Sequence, residues 1–148
     1  MISRRSLFGA AAGAVAVAGL GAGYLATGGS VASLSPVPQA VAGEMRDFDA
    51  AAFAAAQAEG RPILVDIRAD WCIVCARQAP IISSLAAEPR FADLIVFEVD
   101  FDTQKSIVRD FGAFRQATLI AYRGEVEVGR SVYESRADAI EALLEQTL

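Results

Sequence analysis

Two cysteines, Cys72 and Cys75, stand three residues apart in a chain of 148 residues that contains no histidine. Thiols at this spacing share one helical face. At the start of a helix that follows a strand, backbone N–H groups and the helix dipole favour a thiolate. Cys72, at the open end, is expected to be exposed and to attack a substrate disulfide. Cys75, one turn in, is expected to be covered and to resolve the mixed disulfide. Two other readings stand beside this one. A purely stabilising disulfide closes so short a loop that it removes little entropy from the unfolded chain. A metal centre lacks partners, because two thiolates leave a zinc or iron–sulfur site incomplete within one chain. The lack of histidine also removes Ser-His-Asp and Cys-His catalysis and the C-x-x-C-H haem attachment. No metal and no cofactor are expected.

The elements that must position the two thiols are legible in the hydrophobic pattern. Ile63-Leu64-Val65-Asp66-Ile67 is a nearly continuous apolar strand, too short for a helix and suited to burial on both faces. Asp66 interrupts it, and burial there raises a carboxyl pKa because desolvation disfavours the charged form; the alternative is a solvated strand edge. Cys72 to Ala87 follows helical spacing, and Pro80 predicts a kink within it. Asp49 to Glu59 reads as an alanine-rich helix stopped by Gly60 and Pro62. Leu94 to Phe101 is a second strand, Gln104 to Phe111 a short helix and Thr118 to Tyr122 a third strand. After a turn at Arg123-Gly124, the alternation from Glu125 to Arg130 predicts an antiparallel strand with one solvated face. Ser135-Arg136-Ala137-Asp138 reads as a capping box opening a last helix. Phe53, Phe91, Phe97, Phe101 and Phe111 recur at core spacing, and Lys105, Arg109 and Arg115 read as solvated charges.

Charge divides the chain in two. The only charged residues up to Gly43 are Arg4 and Arg5, whereas the remainder holds 11 basic and all 18 acidic residues, a formal charge of -7. Such a surface does not suit nucleic acid, which requires clustered Lys and Arg. Leu7 to Ala26 is an uncharged run of twenty residues behind the paired arginines. Ser3-Arg4-Arg5-Ser6-Leu7-Phe8 resembles a twin-arginine export signal, and Ala40-Val41-Ala42 and Ser30-Val31-Ala32 have the small-x-small form of a cleavage site. Residues 1–26 are therefore expected to be an export signal, or a membrane anchor if uncleaved, residues 27–46 a linker and residues 47–148 a single domain.

Ile63 to Cys75, with the sequence Ala69-Asp70-Trp71-Cys72-Ile73-Val74-Cys75 at its end, resembles the active-site segment of the thioredoxin superfamily. The Ala-Asp-Trp-Cys form is most similar to the thioredoxin-like domain of bacterial periplasmic disulfide reductases. The resemblance implies an α/β thioredoxin fold, a central mixed β-sheet flanked by helices. It also implies Cys72 as nucleophile, Cys75 as resolving thiol and Asp66 as the acceptor or relay of the Cys75 proton, a task suited to a base near neutrality. Trp71 would shield the disulfide and face partners, or else pack in the core. Ile73 and Val74, in place of the Gly-Pro of ordinary thioredoxins, stiffen the turn and make its surface more apolar. Ala117 occupies the place of the family's cis-proline, just before Thr118, in the loop that pairs with an extended substrate. Because a cis bond before a non-proline residue costs about 2.5–4 kcal/mol, a trans Gln116–Ala117 bond and a reshaped loop are expected. Glu98 falls where many thioredoxins carry a lysine, and it is expected to point outward.

Together, the cysteine pair, the charged leader and the resemblance predict an exported, periplasm-facing thiol–disulfide oxidoreductase. It is expected to reduce disulfide-containing proteins and to take electrons from a membrane disulfide reductase. Oxidation or isomerisation is the alternative direction. A non-catalytic binding module on the same fold, with the cysteines locked together, is the alternative class, and copper delivery by the thiolates is a third. Membrane contact is expected only through Leu7 to Ala26.

Overall fold

A computed structural model describes residues 43–148. The paired arginines, the Leu7 to Ala26 run, both cleavage motifs and the linker as far as residue 42 lie outside the described residues. The described chain runs β1 (Glu44–Asp47), α1 (Ala50–Ala58), β2 (Pro62–Arg68), α2 (Ile73–Ala86), a 3-10 turn (Pro89–Phe91), β3 (Ile95–Asp100), α3 (Lys105–Asp110), β4 (Thr118–Arg123), β5 (Val126–Val132) and α4 (Ala137–Glu145). The five strands form one sheet in the order β1-β3-β2-β4-β5. β1, β3 and β2 pair in parallel, and β4 and β5 join antiparallel. This is the expected mixed sheet flanked by helices.

The apolar run of β2 explains its central place: five consecutive residues, Ile63 to Ile67, are buried, so both faces need a cover of helices. Ile63, Val65 and Ile67 pack with Phe97, Val108 and Ile120 on the side of α1 and α3. There Phe53 meets Phe97 at 5.5 Å and Phe111 at 5.4 Å between ring centroids, both edge-to-face. Leu64 packs oppositely with Ile82, Leu119, Ile140 and Leu144, under α2 and α4. Asp66 shares the face of Leu64 by strand alternation, and its partner across β4 is Leu119. Its carboxyl group therefore belongs to the side that α2 covers.

Local rules place most element ends. Asp49 caps α1, its carboxylate accepting from the Ala52 N–H at 2.8 Å, and Gly60, at φ +72°, follows the end of that helix. Pro80 lies inside α2, which continues through it to Ala86. Among the described residues no helix is long and apolar enough to cross a membrane.

Three expectations need correction. Residues 44–46, assigned to the linker, belong to β1, whose sequence Glu-Met-Arg-Asp carries no apolar run. The strand is held at the sheet edge by backbone bonds, with Glu44 N–H donating to the Leu94 carbonyl at 2.9 Å and Phe48 N–H to Glu98 at 2.8 Å. The capping box does not form: Arg136, not Ser135, is the N-cap of α4 and makes no side-chain cap. Glu134 serves that end instead, its carboxylate accepting from the Ser135 and Arg136 N–H groups at 2.9 Å each. The last strand runs Val126–Val132, and a register shift beside Ala121 and Tyr122 disturbs its alternation, leaving Val126 exposed while Val128 packs on the core.

Gly124, in the turn between β4 and β5, has φ +55° and lies so near α1 that an added Cβ would stand 3.1 Å from the Gln57 carbonyl oxygen and 3.1 Å from the Gly60 Cα. Gly124→Ala is expected to lower stability by at least about 1 kcal/mol, seen as a lower urea midpoint with an unchanged slope. A midpoint at or above that of the wild type would contradict this packing.

Candidate active site

Cys72 and Cys75 form a disulfide with their Cα atoms 5.2 Å apart. β2 ends at Arg68, and the Cys72 N–H donating to the Ala69 carbonyl at 3.0 Å folds the intervening residues into a turn. Cys72 then acts as the N-cap of α2, its Sγ accepting from the Cys75 N–H at 3.1 Å. A helix start leaves N–H groups without intrahelical partners, and on reduction the same donor stabilises negative charge on Cys72 Sγ.

The exposure expected of Cys72 is corrected by the structure. Cys72 is 4% exposed and Cys75 3%, so the two are almost equally covered. Cys72 is drawn inward as N-cap and disulfide partner, and Ala69 and Ala117 close over the pair with Val74 and Phe101 beside them. What separates the sulfurs is the backbone donor aimed at Cys72, not access to solvent.

Around the pair, the candidate residues divide. Trp71 is 61% exposed and is not a core residue; its indole N–H donates to the Asp102 carboxylate at 2.7 Å, which holds the ring in place. Asp102 is itself ordered by Asp100, whose Oδ1 accepts from the Asp102 N–H and from the N–H and hydroxyl of Thr103. Ile73 is 72% exposed, whereas Val74 is half-buried. Ala117 and Thr118 are both buried. The Thr118 hydroxyl donates to the Arg115 carbonyl at 2.7 Å, so it braces the loop from within and offers no side-chain surface to a substrate. Ala117 stands at φ +54°, a left-handed backbone that a side chain disfavours.

Asp66 is 3% exposed, and its Oδ1 has no hydrogen-bond partner among the described residues. Burial pushes its carboxyl pKa up to about 7; the Arg68 guanidinium opposes this and the Glu98 carboxylate adds to it. Glu98 and Asp66 are register partners on adjacent parallel strands. Glu98 turns to Arg68, 2.5 Å away, in a groove also lined by Asp47, Asp70 and Asp100. Arg68 is a site residue that sequence reasoning missed. Its signal was present, since a residue two places after Asp66 in a strand lies on the same face. Among the described residues no group of three or more His, Cys, Asp or Glu side chains is arranged to hold a metal ion.

The thioredoxin family model matches residues 44–146, taking in the strand, the cysteine pair and the Ala117 loop. The chain belongs to the thioredoxin family. It is 38% identical over 72 residues to the thioredoxin of Mycobacterium tuberculosis (strain H37Rv), covering 49% of this chain and 61% of that protein. It is 36% identical over 84 residues to a bifunctional thioredoxin reductase/thioredoxin of Mycobacterium leprae, covering 57% of this chain and 18% of that protein. The matched part is thus less than two-thirds of either relative. Among solved structures, Trxlp from Edwardsiella tarda EIB202 superposes with a TM-score of 0.67 at 46% identity, covering 68% of this chain and 98% of that one. A thioredoxin from Malassezia sympodialis, at 18% identity and a TM-score of 0.62, covers 72% of this chain and 94% of its own and shows the shared fold.

In this thioredoxin-family chain the raised Asp66 pKa has a defined consequence for stability. Between about pH 4 and 7 the folded state keeps a proton that the unfolded chain releases, so stability falls as pH rises through that window and stays low above it. Asp66→Asn removes the titration. Its melting temperature relative to wild type is expected to rise between pH 4 and pH 8 by on the order of 10 °C, as read by circular dichroism. A difference that does not change with pH would show that Asp66 titrates normally.

Proposed function

We propose that this chain is an exported thiol–disulfide oxidoreductase that reduces disulfides in proteins. The observation that carries the proposal is the pairing of a Cys72–Cys75 disulfide at the head of α2 with a buried carboxyl group of near-neutral pKa on the sheet face under that helix. Exposed Trp71 and Ile73 flank the pair with an apolar surface fit for a polypeptide.

The reaction balances without a cofactor. In the reduced form the Cys72 thiolate, stabilised by the Cys75 N–H, attacks one sulfur of a substrate disulfide. That S–S bond breaks, the leaving sulfur departs as a thiolate and takes a proton from water, and a mixed disulfide joins Cys72 to the substrate. Cys75 gives its proton to the Asp66 carboxylate, and the new thiolate attacks Cys72 Sγ, releasing the second substrate thiolate. Two electrons have passed to the substrate and the protein holds its disulfide. A carboxyl group titrating near 7 both takes and returns that proton near neutral pH. An external dithiol must then restore the cysteines, and a membrane disulfide reductase is the donor we assign. Arg4, Arg5 and the Leu7 to Ala26 run support export.

The near-complete burial of both sulfurs favours one competing reading, a binding module whose disulfide is structural. Insulin reduction driven by dithiothreitol separates the two. Wild type is expected to exceed the dithiothreitol control, Cys72→Ser to fall to it, and Cys75→Ser to accumulate a mixed disulfide visible by mass spectrometry. Wild type equal to the control would overturn the reductase reading and favour the binding module.

Export has its own measurement. Replacing Arg4 and Arg5 with Lys is expected to retain the full chain in the cytoplasm of a bacterial host, as read by fractionation. Unchanged delivery to the periplasm would remove the twin-arginine assignment.

A further inference from the structure

Two residues with side chains, Ala117 at φ +54° and Tyr133 at φ +59°, hold a left-handed backbone that a Cβ disfavours. They face each other one step beyond Thr118 and Val132, the last register pair of β4 and β5. The Tyr133 N–H donates to the Ala117 carbonyl at 2.9 Å. Above this junction lies Gln78 of α2, fully buried and three residues after Cys75, hence on the same helix face. Its amide Nε2 donates to the Glu134 carbonyl at 2.7 Å and stands 3.5 Å from the Ala117 carbonyl, while its Oε1 has no partner among the described residues. A half-satisfied buried carboxamide and two strained backbone residues are each unfavourable alone. Such features persist where the surrounding contacts over-determine them. Ala117 packs on Ala69, Cys72 and Cys75, so Gln78 ties the helix that carries Cys75 to the backbone that faces the disulfide.

We propose that Gln78 is a positioning residue for polypeptide substrates, its carboxamide holding the Ala117–Tyr133 junction in the shape that admits an extended chain beside Cys72. The inference rests on the oxidoreductase reading and deepens it. A small aromatic disulfide has only to reach the sulfur, whereas a protein segment must also run along the Ala117 loop and past the exposed Val132 and Tyr133. Gln78 therefore acts on docking of the chain, and the sulfur exchange is left to the cysteines and Asp66.

The test is Gln78→Met, which keeps the volume and removes the donor, assayed on insulin and on 5,5′-dithiobis(2-nitrobenzoate). Losing one buried hydrogen bond predicts that KM for insulin rises about tenfold with kcat nearly unchanged. Reaction with the aromatic disulfide and the equilibrium potential of the cysteine pair are expected to stay at wild-type values, and the Tyr133 amide to exchange with deuterium faster. Adding Ala117→Gly, which holds φ +54° without strain, is expected to restore part of the insulin KM. If Gln78→Met does not fold, Gln78→Asn withdraws the same amide from Glu134 by one methylene and is expected to give the same split. Parallel loss on both disulfides, or an unchanged insulin KM, would overturn the assignment. A wild type inert toward both substrates is a different result, which would overturn the oxidoreductase reading and the docking role together.

Discussion

A carboxyl group kept from water inside a sheet governs this molecule. Asp66 lies in the central strand, where its neighbours along the chain are buried and nothing among the described residues donates a hydrogen bond to its Oδ1. The folded state therefore favours a neutral acid there well above the ordinary carboxylate range. That preference disfavours the fold above neutral pH, a penalty with no structural return. The thiol–disulfide exchange proposed above would give it a use, and the strand leads directly into the cysteine pair.

The charges near Asp66 are arranged to moderate it without satisfying it. Arg68, two residues along the strand, lowers its pKa through space, while Glu98 raises it and also binds Arg68. The ion pair is partly exposed, so water and salt screen it more strongly than the buried acid beneath. A lysine at the Glu98 position would stabilise the Asp66 anion. Here the cation comes instead from β2 itself, partly neutralised by its glutamate partner.

Hydrogen bonds hold the surroundings of the disulfide on both sides. Trp71 is exposed yet held by Asp102, and Asp102 is ordered by the Asp100 turn. The loop opposite is held by Thr118 on Arg115 and by the Tyr133 bond to Ala117. Exposed apolar surface on fixed supports loses little conformational entropy when a partner docks. Ala69 and Ala117 cover the sulfurs, which lie just beneath the surface.

Much of this was written in local pattern. The apolar run of β2 announced a central strand, and Cys72 and Cys75 at the next helix start announced exchange chemistry, because burial and helix periodicity are properties of neighbouring residues. Asp66 was legible for the same reason. Other features arise only when distant segments meet. β1 has no apolar signal and exists through backbone bonds to β3. The cap of α4 passed from Ser135 to Glu134, whose carboxylate accepts from the Ser135 and Arg136 N–H groups. The burial of Cys72 required Ala117 to arrive from 45 residues away in the chain. The sequence alone determined which thiols and which carboxyl group are present and how they are spaced; tertiary packing decided how far water reaches them and which neighbours tune them, since solvent access and Coulomb interactions depend on distance in space.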